Sequence, residues 1–213
     1  YTGMNDMEAA IIASIADPQG DTVTALSVDG FSVAVGQEGY RAGLPLDASD
    51  PDSYAQTGKV AVMGVVAGEF DSISDAADVE FSLDSAGGLG HSVDLGDFDS
   101  DGKLDVGIGA PMAAAGGGAV YLLSDVGGFA DGGGTATAAM DAIDAAAEAS
   151  HVVVGTAGLG VGVSLGGDMD GDGVADVLVS EESGEGVGAV WMVSGALLAD
   201  GENALADVAV MGV

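Results

Sequence analysis

Two stretches of this 213-residue chain decide its reading. They are Gly96-Asp97-Phe98-Asp99-Ser100-Asp101-Gly102-Lys103-Leu104-Asp105 and Gly167-Asp168-Met169-Asp170-Gly171-Asp172-Gly173-Val174-Ala175-Asp176. Counted from the first aspartate, each has aspartate at positions 1, 3, 5 and 9 and glycine at position 6. Alternate carboxylates in a tight loop turn toward one centre. That suits calcium, a hard cation taking about six to eight oxygen ligands. Glycine at position 6 accepts the positive φ of a sharp turn. Position 7, Lys103 or Val174, then offers its backbone carbonyl, with the Lys103 side chain pointing outward. The candidate ligands are therefore Asp97, Asp99, Asp101, Lys103 and Asp105 for one Ca2+ site, and Asp168, Asp170, Asp172, Val174 and Asp176 for a second. An EF-hand is excluded, because position 12 is Ile108 or Val179 inside an apolar strand-like run rather than a bidentate glutamate.

Outward from the loops, the chain repeats itself. Gly88-Leu89-Gly90 precedes the first loop and Gly158-Leu159-Gly160 the second. Val106-Gly107-Ile108 and Val177-Leu178-Val179 follow, then Gly118-Ala119-Val120-Tyr121 and Gly188-Ala189-Val190-Trp191. Recurrence of the same parts in the same order marks a repeat architecture. A fainter copy, Asp29 to Gly36 and Gly58 to Met63, lacks the aspartates. Runs around Val79–Leu83 and Val152–Val154 read as strands that open the second and third units, and Asp207–Val213 as the opening strand of a further one. Short β-rich runs between glycine clusters, 38 glycines in all, point to an all-β protein. Two patches look helical, Met4 to Ile15 and an Ala-rich connector from Ala136 to Ala149.

At these residues the chain resembles the FG-GAP repeat, the unit of integrin α-subunit β-propellers and of many bacterial and archaeal surface proteins. Leu89-Gly90 stands for Phe-Gly, Ser92-Val93 follows, and Gly109-Ala110-Pro111 matches in full; in the second copy Ser180-Glu181 departs from Gly-Ala-Pro. The resemblance covers residues 78–195 well and 20–66 weakly. It implies four-stranded blades with calcium in a loop between two strands of a blade. The expected organisation is a degenerate first blade over 1–66, a connector over 67–77, and a calcium-loop blade over 78–124. An Ala/Gly-rich connector over 125–150, a second calcium-loop blade over 151–195, and a connector with an opening strand over 196–213 complete it.

Composition narrows the function. Asp and Glu number 35 against 3 Lys and Arg, a net charge of −32, which excludes electrostatic binding to nucleic acid or an anionic membrane. Apolar residues make up 48%, too many for an acidic disordered chain. Without cysteine there is no disulfide, thiolate zinc site or cysteine nucleophile. No apolar run predicts a transmembrane helix. A carboxylate-rich coat also suits a saline habitat, where self-repulsion is screened, but salt does not explain carboxylates at fixed spacings.

Other motifs carry less. Gly162-Val163-Ser164-Leu165-Gly166 matches the pattern of a nucleophile elbow, which needs a helix after the serine; a calcium loop follows instead. His91 and His151 read as structural or exposed, and Tyr121 and Trp191 as blade packing. The expectation is thus a calcium-binding extracellular structural or adhesion protein, not an enzyme, whose partners are copies of itself or other surface proteins and glycans. Three units and a spare strand fall short of a closed propeller of four to eight blades. Self-assembly into a fibre through the terminal strand is one resolution. The rival reading is a scaffold or appended module of a secreted polysaccharide-acting enzyme, or a carbohydrate-binding protein.

Overall fold

A computed structural model describes residues 23–29, 32–37, 58–64, 77–83, 87–126, 143–183, 187–199 and 209–212. Three sheets make up the described chain. The first runs β1 (Ala25–Asp29), β2 (Ser32–Gln37), β3 (Lys59–Gly64) and β4 (Val79–Ser82), each antiparallel to the one before; a two-residue strand, β8 (Ile143–Asp144), lies parallel to β4. The second is the antiparallel meander β5 (Ser92–Gly96), β6 (Asp105–Ala110), β7 (Ala119–Leu123) and β9 (His151–Val154). The third repeats it as β10 (Leu159–Leu165), β11 (Val177–Ser183), β12 (Val187–Val193) and β13 (Ala209–Gly212). Among the described residues helix is short, as in α1 (Ala145–Glu148), α2 (Gly195–Ala199) and a 3-10 turn at Ala114–Gly116, and none is long and apolar enough to cross a membrane. All-β, blade-like sheets are what the repeat predicts.

Three strands sit elsewhere than the sequence suggests. Val79–Ser82 does not open the second unit: it pairs with β3 from Lys59↔Ser82 to Val62↔Val79 and is the fourth strand of the first sheet. His151–Val154 likewise closes the second sheet on β7. Ala209–Gly212, expected to open a further blade, pairs with β12 and completes the third. The reason is the Leu-Gly pair after each of the first two strands, where the chain crosses to the neighbouring sheet: Leu89 bridges Gly58, and Leu159 bridges Gly118. What precedes the crossing belongs to the sheet being left. The described part of the Ala-rich connector holds β8 and then a single helical turn, and the rest of it, like the Met4–Ile15 patch, lies outside the described residues.

The sheets stack face to face. Alternate residues of the first sheet (Ala34, Val60, Val62, Val79, Phe81) meet Val93, Leu95, Val106, Ile108, Tyr121 and Leu123 of the second in one core. The opposite face of the second sheet, with Val120, Leu122 and Val153, meets Val177, Val179 and Val193 of the third in another. As the middle layer, the second sheet is covered on both sides, which is why β6 and β7 are buried at every position rather than alternately. Each large side chain shut away here, such as Phe81, Ile108 or Leu122, contributes about 1.5–3 kcal/mol. Tyr121 and Trp191 both face the preceding sheet and pack into these cores.

Asp94 ties the layers together. Its carboxylate accepts from the Ser27 hydroxyl of the first sheet (2.7 Å) and from the Leu165 amide of the third (2.9 Å). Ser27 Oγ in turn accepts from the buried Leu95 amide at 3.1 Å.

Candidate metal centres

Both aspartate loops join the first and second strands of their sheets, β5 to β6 and β10 to β11. The first sheet has only a tight β1–β2 connection there, closing at Asp29↔Ser32, so it lacks the scaffold as well as the aspartates.

The first loop is built around its own amides. Asp97 at position 1 accepts from Asp101 N (Oδ1, 3.0 Å) and Gly102 N (Oδ2, 3.0 Å). Asp99 accepts from Asp101 N at 3.1 Å, and Asp101 from Lys103 N at 2.8 Å. In the second loop Asp168 accepts from Gly171 N, Asp172 N and Gly173 N, Asp170 from Asp172 N at 3.1 Å, and Asp172 from Val174 N at 2.8 Å. Side-chain oxygens that bond amides two to five residues on wind each loop into a tight coil. Gly102 (φ 83°) and Gly173 (φ 92°) take the left-handed conformation expected at position 6. Position 4 is left-handed as well, Ser100 at 62° and Gly171 at 85°, which the sequence reading did not anticipate.

Position 9 closes the coil from inside. Asp105 and Asp176 are fully buried. Asp105 accepts from Phe98 N (2.9 Å) and from Asp125 N (2.8 Å), the latter just past β7. Asp176 accepts from Met169 N (2.8 Å), Asp170 N (3.2 Å) and Gly195 N (3.3 Å), the last just past β12. Asp125 and Gly195 are thus equivalent amides that sequence spacing did not reveal, lying about 20 residues downstream. Burial raises the Asp105 carboxyl above its ordinary value, and the nearby Asp99 charge adds to the shift, against the Asp125 and Phe98 amides.

The carboxylates of positions 1, 3 and 9 converge. Ligand oxygens of Asp97, Asp99 and Asp105 all lie within 4.8 Å of one another, and those of Asp168, Asp170 and Asp176 do the same. Asp101 and Asp172, at position 5, are not among these converging groups. Asp101 is engaged instead by Lys103, whose amide bond and then ammonium hold its carboxyl below the ordinary value. Lys103 Nζ lies 3.1 Å from Asp101 and 2.9 Å from Asp125, and these hydrogen bonds raise its own affinity for a proton. The second loop has Val174 at that position.

Three all-oxygen, anionic donors wound by amides onto one point fit a hard divalent cation of the calcium kind, not a soft thiolate-seeking metal. Each site has two exposed carboxylates and one buried, open to solvent on one side.

The remaining candidates are not members of either carboxylate cluster. Ser164 stands within β10, paired opposite Leu178, and not at a strand-to-helix turn. His151 lies on β9 with its ring edge-on to Phe98, centroids 5.9 Å apart, and burial lowers its proton affinity while the Asp99 charge opposes.

No curated protein matches this chain. Residues 89–123, which span β5, the first aspartate loop, β6 and β7, match the family model of the FG-GAP repeat, and that segment is therefore an FG-GAP repeat within an all-β chain of stacked sheets.

Proposed function

We propose that this chain is a calcium-binding structural or adhesion module of the extracellular, integrin-like kind, in which two loop-bound calcium ions stiffen two of three stacked blades. Asp97, Asp99 and Asp105 hold one ion and Asp168, Asp170 and Asp176 the other, with Asp101, Asp172 and the carbonyls of Lys103 and Val174 completing the shells when an ion is present. The carrying observation is that two loops 71 residues apart adopt the same amide-to-carboxylate wiring and bring three like charges to one point. A bound divalent cation turns that repulsion into cohesion. The FG-GAP repeat at residues 89–123 supports the extracellular setting and a supporting or binding role. Surface proteins or glycans are the partners this reading expects.

Calcium titration calorimetry at fixed ionic strength tests the reading. The expected result is two equivalents bound, falling to one in Asp99→Ala and in Asp170→Ala. Binding no stronger than that of magnesium, or two equivalents retained in either variant, refutes it.

A further inference from the structure

The joint between neighbouring sheets is made by glycines, and the third sheet does not carry them. At the first joint, Gly90 of the incoming chain crosses directly over Gly36 of the first sheet; a Cβ added at Gly36 would overlap the Gly90 carbonyl oxygen. Gly58, at φ 74°, admits Leu89 alongside, where any side chain would collide with the Leu89 backbone. The second joint repeats the first. Gly160 crosses Gly109, whose added Cβ would overlap the Gly160 carbonyl oxygen, and Gly118, at φ 77°, admits Leu159. A hydroxyl secures each crossing: Thr24 Oγ1 donates to Gly90 O at 2.8 Å, and Ser92 Oγ to Gly160 O at 2.9 Å. One turn along β6, Gly107 leaves room for Val163 and Leu165 of the third sheet, which would stand 3.0 Å from an added Cβ.

Strand pairing fixes the equivalent positions on the third sheet. Ser92 opposes Gly109, which opposes Val120; Gly162 opposes Ser180, which opposes Val190. Ser180 therefore stands where Gly36 and Gly109 must be bare, and Leu178 where Gly107 makes room. Gly162 replaces the hydroxyl-bearing Ser92, and Ser180 Oγ would lie 2.7 Å from a Cβ added at Gly162, filling that spot from the opposite strand. Gly188, the counterpart of Gly118, is not among the left-handed glycines. Among the described residues, the other end of the stack lacks the complementary part. Ala25 opposes Gly36 as Ser92 opposes Gly109. The Thr24 amide donates to Gly36 O as the Gly90 amide donates to Gly109 O, so Thr24 occupies the position of Gly90.

We propose that these three sheets form a self-terminated stack: Ser180 and Leu178 block a following sheet at one face, and Thr24 stands in place of the crossing glycine at the other. Copies of the chain then do not join head to tail by the joint that unites their own sheets. An interface of that type repeats indefinitely unless its ends mismatch, and here both ends do. Among the described residues this face still shows apolar side chains, since Val190 and Met169 are 43% and 41% exposed where Val120 and Phe98 are covered. A single added Cβ against backbone outweighs such contacts, because a backbone crossing has no rotamer by which to yield. This inference is independent of calcium.

Two measurements on the full chain test it. Gly109→Ala places one methyl in the working joint, and Gly64→Ala is its control, a strand glycine whose added Cβ meets nothing closer than 3.4 Å. Followed by hydrogen exchange, Gly109→Ala is expected to lose protection at Leu159 and Leu165 by at least tenfold or to unfold, while the control keeps wild-type protection; wild-type protection in Gly109→Ala overturns the joint. Light scattering of the wild type, in calcium and in EDTA, is expected to give a mass of about one chain up to millimolar concentration. Concentration-dependent growth with cross-links between copies on the β10–β11 face overturns the blocked end.

Discussion

Asp105→Asn gives the sharpest separation between a calcium loop and an acidic turn. The carboxylate is fully buried and accepts from Phe98 N and Asp125 N on its two oxygens. An amide of the same shape keeps one acceptor and turns an NH2 toward the other N–H. The lost bond to a charged acceptor costs about 1.5–3 kcal/mol. Removing a buried charge whose pKa is raised by desolvation offsets part of that cost. In EDTA the melting temperature therefore falls by at most about 3–12 °C, less the part that the removed charge returns. Calcium separates the two proteins. At about a hundred times Kd, each site adds about 2.7 kcal/mol if the unfolded chain binds no ion, so two sites add about 5.4 and one about half of that. A chain of this length shifts by about 2–4 °C per kcal/mol. The expected calcium increment is thus about 11–22 °C for the wild type and about 5–11 °C for Asp105→Asn, again at saturation. Calorimetric melts in EDTA, calcium and equimolar magnesium read both increments. Equal calcium increments in the two proteins refute the assignment of Asp105 as a ligand.

Three further outcomes follow from the same geometry. Lys103→Val gives the first loop the residue of the second and removes an ammonium that pairs with Asp101. Calcium is expected to bind that loop about two- to fivefold tighter, as for an exposed pair, and titration calorimetry showing weaker binding counts against Lys103 as a competing cation. In EDTA the raised pKa of Asp105 means that the folded chain holds more protons than the unfolded chain just above the ordinary aspartate value. Its contribution is complete below that value and is lost as pH rises through the folded pKa. Melts from about pH 4 to about pH 7 should show the wild type losing more stability than Asp105→Asn, and equal slopes remove Asp105 from the account. Asp94→Ala removes the acceptor shared by Ser27 and Leu165 in the two outer sheets and is expected to lower unfolding stability in urea by about 2–4 kcal/mol; a change below about 0.5 kcal/mol contradicts the bridging role.

What the sequence disclosed was local, and what it concealed was not. Spacing alone located both loops because the carboxylates of positions 1, 3 and 9 are brought together by a coil that closes within the loop itself. At position 5 the carboxylate bonds an amide two residues on, Asp101 with Lys103 N and Asp172 with Val174 N. The strand runs were visible from their β-branched residues, but not their sheet. Val152 pairs with Tyr121, across a connection of about thirty residues, and not with the neighbouring Leu159 strand, because pairing follows the free edge of β7 rather than proximity in sequence. The amides of Asp125 and Gly195 were hidden for the same reason. Gly109 and Ser180 could be read as part of Gly-Ala-Pro and its departure, yet their meaning depends on what crosses above them.

Screening and coordination place different demands on so acidic a chain, and the loops distinguish them. Carboxylate oxygens within 4.8 Å lie well inside the Debye length of about 8 Å at 0.15 M ionic strength, and only near about 1 M, where it falls to about 3 Å, does salt weaken their repulsion. Brine acts on all 35 acidic residues at once, so a rise in melting temperature with sodium chloride should survive Asp105→Asn and Asp176→Asn almost intact. A coordinated divalent ion acts only where three oxygens already converge, so a rise with calcium at constant ionic strength should be halved by either substitution and abolished by both. The first sheet, which has neither loop, should gain from sodium but gain nothing directly from calcium. Hydrogen exchange at β2 and β3 under the two salts provides that comparison within a single molecule. Calcium protection concentrated in the second and third sheets is what a loop-bound ion requires; protection spread equally over all three would reduce the effect of calcium to that of ionic strength.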